Sequence, residues 1–99
     1  MKIRINGMYY EVSEDDTLPK NLNGQIRYNE KKIRLRRTKL DGTQRTDVDV
    51  NDTLWHEIVH GILHEMGSRK AYDELFVTSL AACIVSIQQQ LYEYADGAA

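Results

Sequence analysis

The sequence predicts an α+β domain: a small antiparallel β-sheet of two hairpins, packed on one helix from the middle of the chain and on a second, C-terminal helix. Three observations support it. Short segments within residues 2–37 alternate apolar and polar side chains, as strands with one buried face do. Two later stretches repeat apolar residues every three or four positions, as amphipathic helices do. At 99 residues the chain is one domain; residues 1–95 are assigned to it, and Asp96–Ala99 to a disordered tail.

The elements follow in order. Ile3 and Ile5 alternate with Lys2 and Arg4, and Asn6-Gly7 comes next. That dipeptide is a strong hairpin signal, because a type I′ turn needs positive φ at both central residues. Residues 14–23 are polar, hold the only proline, Pro19, and read as a loop. Gln25–Tyr28 and Lys32–Arg36 both alternate around Asn29-Glu30-Lys31, a second hairpin. Ile26, Tyr28, Ile33 and Leu35 are expected on the core face, with the arginines and lysines toward water. Residues 38–50 are polar, with a turn at Asp41-Gly42, and read as a loop or a frayed lead into the next helix.

That helix is expected to be capped by Asn51 or Asp52 and to run to about Glu65, with Gly67 as its terminator. Leu54, Trp55, Ile58, Val59, Ile62, Leu63 and Met66 form one broad apolar face. The second helix begins near Ala71 or Asp73 and continues to about Tyr94. Its stripe is Val77, Leu80, Ala81, Ile84, Ile87 and Leu91.

Composition sets outer bounds. Residues 1–50 carry eleven Lys and Arg against eight Asp and Glu; residues 51–99 carry two against seven. The basic half reads as a solvated strand face, so a nucleic-acid partner is not expected. The single cysteine, Cys83, excludes an internal disulfide and reads as a buried, inert thiol. No N-terminal signal-like stretch and no bilayer-length apolar run is expected, so no membrane partner is either, and cytoplasmic location is the default.

The chemistry concentrates in Leu54-Trp55-His56-Glu57-Ile58-Val59-His60. All three histidines of the chain lie within the nine residues 56–64. Residues four apart on a helix stand one above the other. His56 and His60 can therefore present two imidazole nitrogens to one Zn²⁺. Glu57, beside the first ligand, is placed to act as general base toward a water at the metal. A catalytic zinc takes a third protein ligand. Glu74, at the start of the second helix and the flank of its stripe, is the best candidate. Asp73 is an alternative ligand or a helix cap; His64, two turns after His56 on nearly the same face, is an alternative ligand, a support for one, or an exposed residue, and is read as the last; Glu65 lies on the far side of the helix.

His56-Glu57-Ile58-Val59-His60-Gly61-Ile62-Leu63-His64-Glu65, followed by Glu74, Val77, Leu80 and Ala81 as E-x-x-V-x-x-L-A, resembles a gluzincin-type zinc peptidase. More specifically, the chain is similar to the small ImmA/IrrE-like metallopeptidases of phage and prophage genomes. Leu54 two residues before the motif, the Asn6-Gly7 hairpin, and Gly24, Ile26 and Tyr28 as G-x-I-x-Y also fit. The resemblance implies a minimal zincin-like fold, with His56, His60 and Glu74 as zinc ligands and Glu57 as general base. It implies hydrolysis of a peptide bond in a protein substrate, such as a transcriptional regulator. It leaves the oxyanion donor open between Tyr72, Tyr28 and the metal. The competing reading is a zinc-stapled protein- or DNA-binding module without peptidase activity, supported by the arginine-rich strand at 32–37.

Overall fold

A computed structural model describes residues 1–98 of the chain. Asn6 and Gly7 have φ of 48° and 84°, the paired positive values a type I′ turn requires. They join strand β1 (Lys2–Ile5) to β2 (Met8–Glu14) as the first hairpin. The second hairpin pairs β3 (Gly24–Arg27) with β4 (Lys32–Leu35), Ile26 opposite Ile33. Both expected hairpins are present.

The sheet they build is mixed, not antiparallel throughout. Its order is β1-β2-β4-β3, and β2 lies parallel to β4, with Val12 opposite Ile33. Parallel neighbours cannot be joined by a tight turn. The chain leaves β2 through the 15–23 loop, comes back along β3, and only then enters β4. Backbone bonds hold this loop to the end of β4: Asp15 N–H to Leu35 O at 2.8 Å, and Arg36 N–H to Asn23 O at 2.8 Å.

Arg36 explains how the loop keeps that path. It was expected in water and is buried. Its guanidinium donates to the carbonyls of Asp16, Leu18, Pro19 and Leu22. A planar fork with five N–H donors can satisfy several carbonyls that face inward from one loop. Arg45, also buried, donates to Arg36 O, Asp49 O and Thr53 Oγ1. The neighbouring basic residues are met within the chain as well. Arg34 lies near Asp15 and Glu30, and Arg37 pairs with Glu14 and Asp47.

Helix α1 spans Asp47–Glu65 and so starts about one and a half turns earlier than expected. Thr46, not Asn51 or Asp52, is the cap, accepting the Asp49 N–H at 3.1 Å. Asn51 instead donates to Gln88 of the second helix at 3.0 Å. The preceding polar segment is a small turn, closed by a Thr38–Gln44 bridge and by Asp41 accepting from Thr43. Gly67, at φ 73°, ends α1 as expected. Gly67 N–H reaches His64 O and Ser68 N–H reaches Leu63 O, a Schellman pattern.

A 3₁₀ turn at Arg69–Tyr72 leads into α2, Glu74–Ala98. Asp73 caps α2 by accepting the Phe76 N–H at 3.0 Å. The helix runs through Asp96 and Gly97, where a disordered tail was expected; Ala99 lies outside the described residues. α2 is also long and apolar enough, by length and composition, to cross a bilayer, contrary to the expectation of no such run. Cys83 on it is exposed rather than buried.

Two apolar clusters organise the packing. Ile5, Tyr10, Val12, Ile33, Leu35 and Val50 join the sheet to α1. Val59, Leu63, Ala71, Val77 and Ala81 join α1 to the 3₁₀ turn and α2. The motif helix is thus held on two sides, and its third side faces a cleft.

Replacing Arg36 with Leu keeps the bulk and leaves inward carbonyls unpaired. Each such group costs about 1–3 kcal/mol. Urea unfolding should show a loss of roughly 2–4 kcal/mol relative to wild type. A change below about 0.5 kcal/mol, the usual range for surface substitutions, would refute the role given to this guanidinium.

Candidate metal centre

The i, i+4 spacing on α1 does what the sequence requires of it. The rings of His56 and His60 lie with centroids 4.9 Å apart. Glu74, the first residue of α2, reaches both: Oε2 is 3.0 Å from His56 Nε2, and Oε1 is 2.8 Å from His60 Nε2. One ligand atom from each of the three residues falls within 4.8 Å of the others. The reason for Glu74 is different from the one read in the sequence. Its side chain is mostly exposed, so no burial penalty points it inward. The Schellman stop, the 3₁₀ turn and the Asp73 cap set α2 so that its first residue faces the histidines.

His60 is oriented by the main chain. Its Nδ1 donates to the Ala71 carbonyl at 2.6 Å, which turns Nε2 toward Glu74 as the nitrogen a cation would meet. A backbone carbonyl on the second nitrogen is the usual outer support of a metal-binding imidazole. Nothing in the sequence marked Ala71, because the contact uses a main-chain atom.

The donor set fits zinc. Two imidazole nitrogens and a carboxylate suit this ion, and ligands about 2.0–2.1 Å from a tetrahedral zinc stand roughly 3.3 Å apart. The nitrogen–oxygen distances of 2.8 and 3.0 Å are a few tenths shorter, within reach of small side-chain rotations.

Glu57 points to the same place from a drier one. It is 7% exposed. Burial is the main cause that pushes its pKa from 4.5 up to about 7; nearby Glu74 adds to the rise, and His60 opposes it. Gly24 creates this enclosure. A Cβ there would meet Thr53 Cγ2 at 2.5 Å and Glu57 Cγ at 3.2 Å, so only glycine lets β3 lie this close to α1.

A cleft of about 920 Å³ opens over the four residues. β3, an edge strand, gives one wall through Gly24, Gln25 and Ile26. α2 gives the other through Thr78, Ala82 and Val85. Tyr28 was expected in the core and lines the cleft instead. Its ring stacks on His64 at 4.0 Å and meets Tyr72 edge-on at 6.4 Å. His64 is therefore half-buried as a support for Tyr28, not merely exposed. Burial, then Tyr72, Glu57 and Glu74, push the Tyr28 pKa up to about 12, so its phenol keeps its proton. Tyr72 is largely exposed and is not part of the cleft wall. Glu65 faces away, accepting from Tyr10 and Lys31 at 2.6 Å each.

Comparison with protein-family models, with characterised proteins and with solved structures finds no match.

The buried carboxylate makes a prediction that needs no assay of activity. Glu57 binds its proton more tightly in the folded protein than in the unfolded chain. The metal-free protein should therefore lose stability as pH rises from about 4.5 through about 7. Glu57→Gln removes that loss. After chelation the variant should be more stable than wild type by about 2–3 kcal/mol near pH 8, the gap closing toward about pH 4. Equal pH profiles for the two proteins would contradict the dry environment assigned to Glu57.

Proposed function

We propose that this chain is a zinc-dependent metallopeptidase of minimal zincin-like fold, allied to the ImmA/IrrE-like enzymes and acting on a peptide bond in a protein substrate. One observation carries the reading: His56, His60 and Glu74 converge beside a buried, unneutralised Glu57 at the floor of a cleft. A site that only stapled the fold would have no need of that fourth carboxylate.

His56, His60 and Glu74 would hold the ion. When bound, zinc supplies Lewis acidity toward a carbonyl oxygen and toward water. Glu57 takes a proton from the attacking water on its carboxylate and returns it to the departing amine. In the metal-free protein burial raises its pKa to about 7, and a bound cation would draw it back down toward the ionised form that accepts a proton. Tyr28 lines the cleft with a protonated phenol and would serve as the donor for the developing oxyanion. β3 offers the backbone groups of a free sheet edge, along which an extended substrate can add as a further strand.

Metal analysis should find one zinc per chain. His56→Ala should abolish binding, and Glu74→Ala should weaken it enough for a chelator to strip the ion. Glu57→Gln should keep zinc while hydrolysis falls by about 10²–10⁴-fold. Proteins encoded beside this gene are the first substrates to assay. Zinc lost from Glu57→Gln and kept by Glu74→Ala would invert the assignment.

Tyr28→Phe removes one hydroxyl. It should lower kcat by about 10²-fold with little change in KM, since the donor acts on charge that develops after binding. A rise in KM at unchanged kcat would make Tyr28 a binding residue instead.

A further inference from the structure

The cleft extends past the three candidate ligands. Ile26 lies against Gly61, and Gly24 lies against Thr53 and Glu57. β3 therefore runs along α1 in the opposite sense, and the chain before it reaches back toward the start of the helix. α2 does the converse from the other side: Glu74 stands at His56 and His60, and Gln88 bonds Asn51 at 3.0 Å. Beyond the histidines the cleft continues over Asp52, with Asn21 and Asn23 on one side and Ser86 and Gln89 on the other. Asp52 is one turn before His56 and two before His60, on the same line of α1. It stands about 6 Å from His56 along the axis.

The charge at this end is one-sided. Thr46 caps α1, and the acids of its first turn are Asp47 and Asp49, so neither task falls to Asp52. Its side chain is exposed, and among the described residues it enters no ion pair. The cleft is lined by three carboxylates, Asp52, Glu57 and Glu74, and by no Lys or Arg. A divalent ion at the histidines would be balanced by Glu57 and Glu74. Asp52 is then the charge of the cleft without an opposite. Clefts lined by one sign of charge concentrate ligands of the other. One carboxylate among neutral side chains offers too few anionic oxygens for a second metal ion. It suits an ammonium or guanidinium, whose remaining N–H donors the amide carbonyls and the Ser86 hydroxyl can accept.

We propose that this end of the cleft is a subsite for a basic side chain, and that the Asp52 carboxylate selects Lys or Arg in an extended peptide. An extended chain rises about 3.3 Å per residue, so the basic residue stands about two positions from the bond held at the histidines. Its place relative to a cut bond rests on the peptidase reading; recognition of the cation does not.

Two measurements test it. Binding is read by NMR on Glu57→Gln with one equivalent of zinc, so that the peptide stays intact. The probes are two capped pentapeptides, arginine between paired alanines and the same with citrulline, which keeps the shape and lacks the charge. The arginine peptide should bind about 3- to 5-fold more tightly and shift the amide signals of Asp52, Ser86 and Gln89. Adding Asp52→Asn should erase the difference, and adding Asp52→Lys should favour a glutamate peptide instead. Cleavage is read by mass spectrometry on a proteome-derived peptide library with the zinc-loaded wild type. Lys or Arg should be enriched at one position within about three residues of the cut bond, and Asp52→Asn should remove the enrichment. Equal binding of the two peptides, a preference that survives Asp52→Asn, or cut sites without a basic residue overturns the subsite and leaves the peptidase reading standing. Arginine binding that depends on Asp52, with no peptide cut, supports the subsite and counts against the peptidase reading alone.

Discussion

Enclosing one carboxylate beside two imidazoles, with only its tip open to the cleft, is the constraint on which the rest of this structure depends. Glu57 is enclosed because β3 touches α1 at a residue without a side chain, and because the two apolar clusters press α1 from both sides. An isolated ionised carboxylate is costly in such a place. The fold tolerates it where a compensating cation would sit. On the proposed reading the cost and the chemistry would share one origin: the enclosure that weakens the metal-free protein is also what would hold Glu57 beside the metal site as a base.

The parts visible in the sequence are those coded by local pattern. Asn6-Gly7 specified its turn, Gly67 its helix end, and the i, i+4 histidines their shared face, because each is decided within a few residues. Asp73 was legible as a cap for the same reason. The misses are nonlocal. The parallel β2–β4 pairing depends on a loop held by Arg36, a residue that sequence pattern assigns to water. Tyr28 left the core face because the hairpin turn carries it to His64, thirty-six positions away in the chain. Glu74 was chosen on a burial argument that its exposure does not support; what places it is the short, capped link between the helices. The start of α1 was missed because Asn51 and Asp52 cap as well in isolation as Thr46 does. Tertiary context decided between them, through Arg45 and the contact of Asn51 with Gln88.

Arg36 also bears on the order in which the molecule can assemble. Each hairpin closes over a short stretch of chain, and such closures are fast. Joining β2 to β4 is a different event, because Val12 and Ile33 stand far apart in sequence and no turn brings them together. The inward carbonyls of the 15–23 loop find their partner only after β4 has delivered the guanidinium. Loop-closure entropy is spent before those contacts repay it. The local hairpins have low closure cost and the 15–23 loop has its partner only once Arg36 is in place, so the loop is expected to order late in folding. An amino-acid change there would then be felt mainly in how fast the protein comes apart.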